Sequence, residues 1–450
     1  MAYLAAAPKR RCPLYKILSI YKILSISVGN KKTLPTLQNT IYLSLQNTIY
    51  LQNTIYLGGQ QKDVAHPTKY SINANSPFPQ RIKMKKDTLQ TVVPTHYWHK
   101  LEGGRIQCDL CPRACSLKEG QKGLCFVRAN QNQQIVLTTY GRSSGFCVDP
   151  IEKKPLNHFL PGTPILSFGT AGCNLACQFC QNWDMSKSRE MDTLADQAEP
   201  DVIARAAQQF GCRSVALTYN DPIIFHEYAI DVAKECHKLD IKSVAVTAGY
   251  ICDEPRKAFF SEMDAANVDL KAFTEKFYHK LTGGHLQPVL DTLRYLKQET
   301  DVWFELTTLL IPGENDSEKE LEEMTQWVVE NLGSDVPMHF TAFHPSWKML
   351  DKPPTPPQTL TMARRIALKN GVHYAYTGNV HDQQGESTYC HHCAHKLIER
   401  DWYVLSDWHL TPDGKCDQCG TTCAGLFNAK AGTWGAKRLP VRLRDFVALC

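Results

Sequence analysis

Three cysteines in this chain are spaced for iron chemistry. They lie in the stretch Gly172-Cys173-Asn-Leu-Ala-Cys177-Gln-Phe-Cys180, a C-x3-C-x2-C arrangement. Three thiolates on one short loop can cap three irons of a [4Fe–4S] cube and leave the fourth without a protein ligand. An ordinary electron-transfer cluster takes four cysteines. The open iron can chelate the amino and carboxylate groups at the methionine end of S-adenosylmethionine (SAM). An electron passed to the sulfonium then breaks a carbon–sulfur bond and releases a 5′-deoxyadenosyl radical. The competing reading is a structural zinc site with a distant fourth ligand.

Two more groups have metal-ligand spacing. Cys108, Cys111, Cys115 and Cys125 follow C-x2-C-x3-C-x9-C, which suits a structural zinc or a second cluster, or else four unligated thiols in a loop. Cys390 and Cys393, then Cys416 and Cys419, form two C-x2-C hooks. This is a strong zinc signal, because four sulfurs satisfy tetrahedral Zn²⁺; an auxiliary iron–sulfur cluster is the rival. Between the hooks, Trp402–Leu405 reads as a strand and Pro412-Asp-Gly414 as a turn, as in a zinc ribbon. Cys423, His391 and His392 are left as bystanders.

The elements that must position the triad alternate. Candidate strands are Ile165–Gly169, Ser214–Tyr219, Ser243–Thr247, Asn267–Ala272, Val302–Ile311, Met338–Phe343 and Val372–Tyr376. Candidate helices are Asp201–Gln209, Pro222–Leu239, Gln287–Gln298, Ser317–Asn331 and Thr359–Asn370, with Pro353–Pro357 a loop before the last. The alternation predicts an α/β fold of parallel β/α units, as an open sheet or a barrel. The triad follows the first strand, and barrel enzymes place their chemistry at the C-terminal ends of strands.

Composition narrows the class. The net charge is +5, but residues 1–83 hold eleven Lys/Arg and one acidic residue, Asp63, so residues 84–450 carry about −5. A mildly acidic body without a clustered basic footprint argues against nucleic acid as a partner. No run approaches the roughly 18–20 apolar residues that span a bilayer, so no membrane association is expected. Eleven of the eighteen cysteines fall in the three groups. That pattern predicts reduced, ligating thiolates and a cytoplasmic location rather than a disulfide framework.

Four regions are expected. Residues 1–83 are a leader in which YKILSI occurs twice and LQNTIYL three times. It reads as an over-extended start ahead of Met84 or as a genuine leader, in either case without a fold. Residues 84–160 form a Cys-rich segment and connector, 161–385 the catalytic core, and 386–450 a zinc-ribbon-like module and tail.

The run Asp149-Pro-Ile-Glu-Lys-Lys-Pro-Leu-Asn-His-Phe-Leu-Pro-Gly162, followed by GCNLACQFCQNW, closely resembles the radical SAM component of the AmmeMemoRadiSam system. That family is related to the activating enzymes of pyruvate formate-lyase. The resemblance covers roughly Tyr97 to Phe427. It implies a partial (β/α)6-type barrel with a [4Fe–4S] cluster and SAM at its mouth. By the same resemblance Tyr219, Asn220 and Asp221 lie beside the methionine end of SAM, with Asp221 in place of the usual Glu. Asp269 and Lys271 meet ribose hydroxyls and the SAM carboxylate, and His344 meets the adenosyl group. On the bland reading Asp269 and Lys271 are a strand-end ion pair, His344 is a satisfied core histidine and Glu305 is an interior charge with no SAM role.

The family also implies a flavodoxin- or ferredoxin-type electron donor, with Amme- and Memo-type proteins as partners. A glycyl-radical-enzyme activase is the nearest rival. Such activases often carry a cluster insert after the triad, whereas here about twenty residues without cysteine separate Cys180 from the first candidate helix. A zinc-ribbon binding module is the rival of another class.

Overall fold

The seven β-branched and small apolar runs all become strands of one sheet. The computed structural model describes residues 91–189, 194 and 196–443; the repeat-bearing leader and Met84 lie outside them. The sheet is built from β1 (Gly145–Pro150), β2 (Pro164–Gly169), β3 (Ser214–Leu217), β4 (Lys242–Thr247), β5 (Ala265–Asp269), β6 (Trp303–Leu310), β7 (Met338–Ala342), β8 (Ala375–Gly378) and β9 (Leu439–Val441). Their order is β8-β7-β6-β5-β4-β3-β2-β1-β9. Every neighbouring pair from β2 to β8 is parallel. β1 runs antiparallel to β2, and β9 antiparallel to β1.

All residues of β3 and β7 are buried. Strands covered on both faces can lose the apolar–polar alternation, as β3 does after Ser214; β7 keeps it, with His339 and Thr341 on the face that lines the cleft. Six helices make the crossovers: α1 (Pro200–Gln209), α2 (His226–His237), α3 (Asp253–Phe260), α4 (Gln287–Glu299), α5 (Glu318–Leu332) and α6 (Pro357–Lys369). Local chemistry sets their ends. α5 starts where Ser317 Oγ accepts from Glu320 N at 3.3 Å, and stops at Gly333, whose φ is +87°.

Several expectations need correction. The parallel strands number seven, one more than a six-strand barrel, and among the described residues no ladder joins β8 to β9. The supposed connector contributes β1, and the tail contributes β9. The run from Pro222 breaks into a 3-10 turn, Pro222–Phe225, capped by Asp221, before α2 begins. Pro357 opens α6 instead of ending a loop, as suits proline in a first helical turn. α3 was not foreseen. Trp402 and Tyr403 form a hairpin turn, with Trp402 at φ +55°, between strands Lys396–Asp401 and Val404–Trp408. No helix among the described residues is long and apolar enough to cross a membrane.

Candidate metal and cofactor site

The triad sits where β2 ends. A Cβ on Gly169 would stand 2.3 Å from the Thr218 carbonyl oxygen and 2.7 Å from Asn220 Oδ1. Gly172, at φ +86°, precedes Cys173, and a Cβ there would fall 1.9 Å from the Cys125 carbonyl oxygen. Only glycine permits both approaches. Asn220 holds the turn: Thr170 N donates to its Oδ1 at 3.3 Å, and its Nδ2 donates to the Gly172 carbonyl at 2.8 Å. Farther along, Ala176 N and Gln178 N donate to the Thr282 and Leu281 carbonyls, both at 2.8 Å. Lys187 Nζ donates to the Leu175 carbonyl at 2.7 Å. The sulfur-bearing loop is fixed by its neighbours before any ligand binds.

Cys173, Cys177 and Cys180 open into one cleft of about 570 Å³, a size suited to a cofactor. Tyr219, Asn220, Asp221, Asp269 and Lys271 line the same cleft. His344 does not; it is exposed beyond the end of β7, whereas His339 within β7 lines the cleft. Lys271 Nζ donates to Asp269 Oδ2 at 2.7 Å. Burial opposes the Lys271 charge, but Asp269 and the neighbouring Cys177 more than offset it, and its pKa is raised. Burial pushes Asp221 up to about 6, although Ile223 N, the Thr247 hydroxyl and Ala248 N all donate to it. Its carboxylate thus braces β3 against β4. Tyr219 turns its hydroxyl toward Asp149 at 2.9 Å.

This donor set fits the groups the triad implies. Among the described residues no fourth cysteine lines the cleft, which would leave one iron of a cube without a protein thiolate. A partly buried ammonium and a carboxylate line the cleft with the sulfurs, matched to a ligand bearing a carboxylate and hydroxyls.

The segment from Asp149 to Gly162 braces the floor of the cleft. Asp149 accepts from Lys153 Nζ at 3.0 Å and Lys154 Nζ at 2.7 Å. Burial opposes its charge, yet the two lysines hold its carboxyl below the usual range. Glu305 is fully buried and accepts from four donors: Asn157 N at 3.0 Å, His158 N at 2.8 Å, Trp303 Nε1 at 3.1 Å and His339 Nε2 at 2.7 Å. Burial lowers His158 to about 4. Neutral, it donates from Nδ1 to the Ala424 carbonyl at 2.6 Å and accepts at Nε2 from Tyr376 at 2.5 Å. Sequence reasoning missed Lys153, Lys154, His339, Arg400 and Arg438 as cleft residues. The basic pair inside the quoted run was the available signal for the first two.

Glu152 also lines the cleft, and its Oε1 accepts from Gly162 N at 2.6 Å. Burial pushes it up to about 7. The folded state therefore binds this proton more tightly than the unfolded chain does. The resulting stability is full below about pH 4.5 and is lost as pH rises through about 7. Glu152→Gln removes that titration. Its unfolding free energy relative to wild type should rise by about 3 kcal/mol between pH 4.5 and 8. Denaturant unfolding across that range checks this, and a pH-independent difference would refute it.

Eight of the other cysteines form two groups of four. Cys390, Cys393, Cys416 and Cys419 converge, their sulfurs all within 4.8 Å of one another, so they can hold one metal ion. His391 stands outside this group and stacks on His373. Cys108, Cys111, Cys115 and Cys125 line a separate small pocket.

A profile of the radical SAM superfamily matches residues 168–327. The chain is 37% identical over 325 residues to an uncharacterized protein of Methanocaldococcus jannaschii, covering 72% of this chain and 96% of that one. It is 20% identical over 290 residues to a 4-hydroxyphenylacetate decarboxylase activating enzyme of Clostridioides difficile, covering 60% of this chain and 89% of the other. A solved domain of a pyruvate-formate lyase-activating enzyme from Bacteroides vulgatus aligns at 17% identity and a TM-score of 0.33, over 37% of this chain and 98% of that domain.

Proposed function

Because the chain belongs to the radical SAM superfamily, we propose that it binds a [4Fe–4S] cluster on Cys173, Cys177 and Cys180 and SAM in the adjoining cleft, and abstracts hydrogen from a substrate held there. The observation that carries this reading is the convergence of three cysteines, and no fourth, on a cleft shared with Asp269 and Lys271. When bound, the cluster supplies the electron that splits SAM. The chain's own residues orient and enclose. Asn220 fixes the sulfur loop, Lys271 offers its ammonium to the SAM carboxylate, Asp269 offers acceptors to the ribose, and the strand ends exclude water.

The sheet serves, in this proposal, as a partial barrel with the cofactors at its mouth. The protein acts as the radical SAM member of an AmmeMemoRadiSam system, reduced by a flavodoxin- or ferredoxin-type donor in the cytoplasm. Amme- and Memo-type proteins are its functional partners. Zinc is proposed for the C-terminal module. A tetrahedral ion about 2.3 Å from each sulfur sets them about 3.8 Å apart. The observed separations are 3.6 Å for Cys390–Cys419 and 3.7 Å for Cys393–Cys416.

Lys271→Met should weaken SAM binding by about 10- to 100-fold, the worth of one charge-assisted hydrogen bond in a buried site. Equilibrium dialysis on the reconstituted protein measures it, and unchanged affinity would remove Lys271 from the SAM site.

The relative named as an activating enzyme favours a second reading, in which the substrate is a glycyl radical enzyme. Deuterium tracing separates the two. The main reading predicts that 5′-deoxyadenosine gains deuterium from labelled small molecules. Transfer from protein alone, with a glycine-centred radical signal, would establish the activase.

A further inference from the structure

The N-terminal cysteines are not spaced like the C-terminal four. Cys108, Cys111, Cys115 and Cys125 are free thiols around one pocket closed by leucine and isoleucine side chains. Zinc would draw four sulfurs to about 3.8 Å from one another. The C-terminal set meets that condition, but no three of the N-terminal sulfurs lie all within 4.8 Å of one another. They still face a common space: Cys115 Sγ and Cys125 Sγ each stand 3.7 Å from where a Cβ on Gly123 would be. Thiolates that cap different irons of a cube sit about 6 Å apart. The triad sulfurs fall outside the same limit.

Buried donors give an independent indication. Arg128 is 1% exposed and lines this pocket. Its Nε and Nη2 donate to the Ile224 carbonyl and Glu227, while buried Nη1 has no hydrogen-bond partner. Arg113 lines the pocket too, but its Nε is on the Asn174 carbonyl and its Nη2 lies beside Gly283, so it ties the pocket to the triad loop. Buried guanidinium N–H groups require acceptors, and a cube presents four sulfides besides four thiolates.

We propose that Cys108, Cys111, Cys115 and Cys125 hold a second, fully ligated [4Fe–4S] cluster, with Arg128 donating to its sulfurs. All four irons are then capped by the protein, so this cluster exchanges electrons and does not bind SAM. It lies against the triad loop, since the Cys125 carbonyl packs on Gly172 and Arg113 holds Asn174.

The test is iron, sulfide and zinc analysis of the full chain after anaerobic reconstitution with ferrous iron and sulfide. Wild type should hold about eight irons, about eight sulfides and about one zinc. A Cys173→Ala/Cys177→Ala/Cys180→Ala variant should keep about four irons and, once reduced, an iron–sulfur electron paramagnetic resonance signal. Wild type with about four irons and two zincs would overturn the proposal without recourse to a variant. A triad variant that is folded but free of iron would overturn it equally, while leaving the SAM site untouched.

Discussion

Replacing Cys173, Cys177 and Cys180 together with alanine should remove about four irons from the reconstituted protein. Formation of 5′-deoxyadenosine from SAM should fall at least about a thousand-fold, to background. The effect is this large because, among the described residues, no other cysteine lines the cleft that could take over a missing ligand. The loop should still fold, because it is held by contacts that do not involve sulfur: Asn220 on Gly172, Lys187 on Leu175, and the Ala176 and Gln178 amides on the Thr282 and Leu281 carbonyls. An unchanged circular dichroism spectrum with lost cleavage is the expected pair of results. A variant that loses about four irons yet still cleaves SAM would show that the triad is not the site of chemistry.

Glu305→Gln should cost about 2–4 kcal/mol of stability, although the change removes no volume. Oε1 accepts from His158 N and Trp303 Nε1, and Oε2 from Asn157 N and His339 Nε2. An amide can replace only one of these oxygens, so its NH₂ group must face two N–H donors. Turned toward His339 and Asn157, it can be met by a change of tautomer at His339, but the Asn157 amide stays buried and unpaired. Burial raises the Glu305 pKa and His339 lowers it, with a net downward shift, so the wild-type group is ionised at neutral pH. The bond set is therefore charge-assisted throughout. Denaturant midpoints of the two proteins measure the loss. A cost below about 1 kcal/mol would mean that Glu305 is not the anchor of the cleft floor.

Much of the fold was legible because it is parallel and buried. The run Val215–Leu217 carries no polar residue to confuse the reading. The missed strands, Gly145–Pro150 and Leu439–Val441, lie at the other end of the sheet, and both contain proline. In a single sequence such segments read as connector or tail. At the site, the triad was read from its spacing and the Asp269–Lys271 pair from the family resemblance, and all five residues line the cleft. His344 was assigned to the adenosyl group through the resemblance, yet it is His339, within β7, that lines the cleft. The hydrogen bonds of Asp221 and Glu305 span 26 and 148 residues of sequence. Nothing local marks such pairings. Metal identity was likewise unreadable, since C-x2-C spacing suits zinc and clusters alike, and only the separation of the sulfurs distinguishes them.

The central claim is that this chain supplies an iron–sulfur site with room for SAM. It is tested most directly by reducing the iron-loaded protein with dithionite under anaerobic conditions, adding SAM, and quantifying 5′-deoxyadenosine and methionine. Cleavage at the Cys173–Cys177–Cys180 site predicts the two products in equal amounts. Iron-loaded, reduced protein that returns the SAM intact would contradict it.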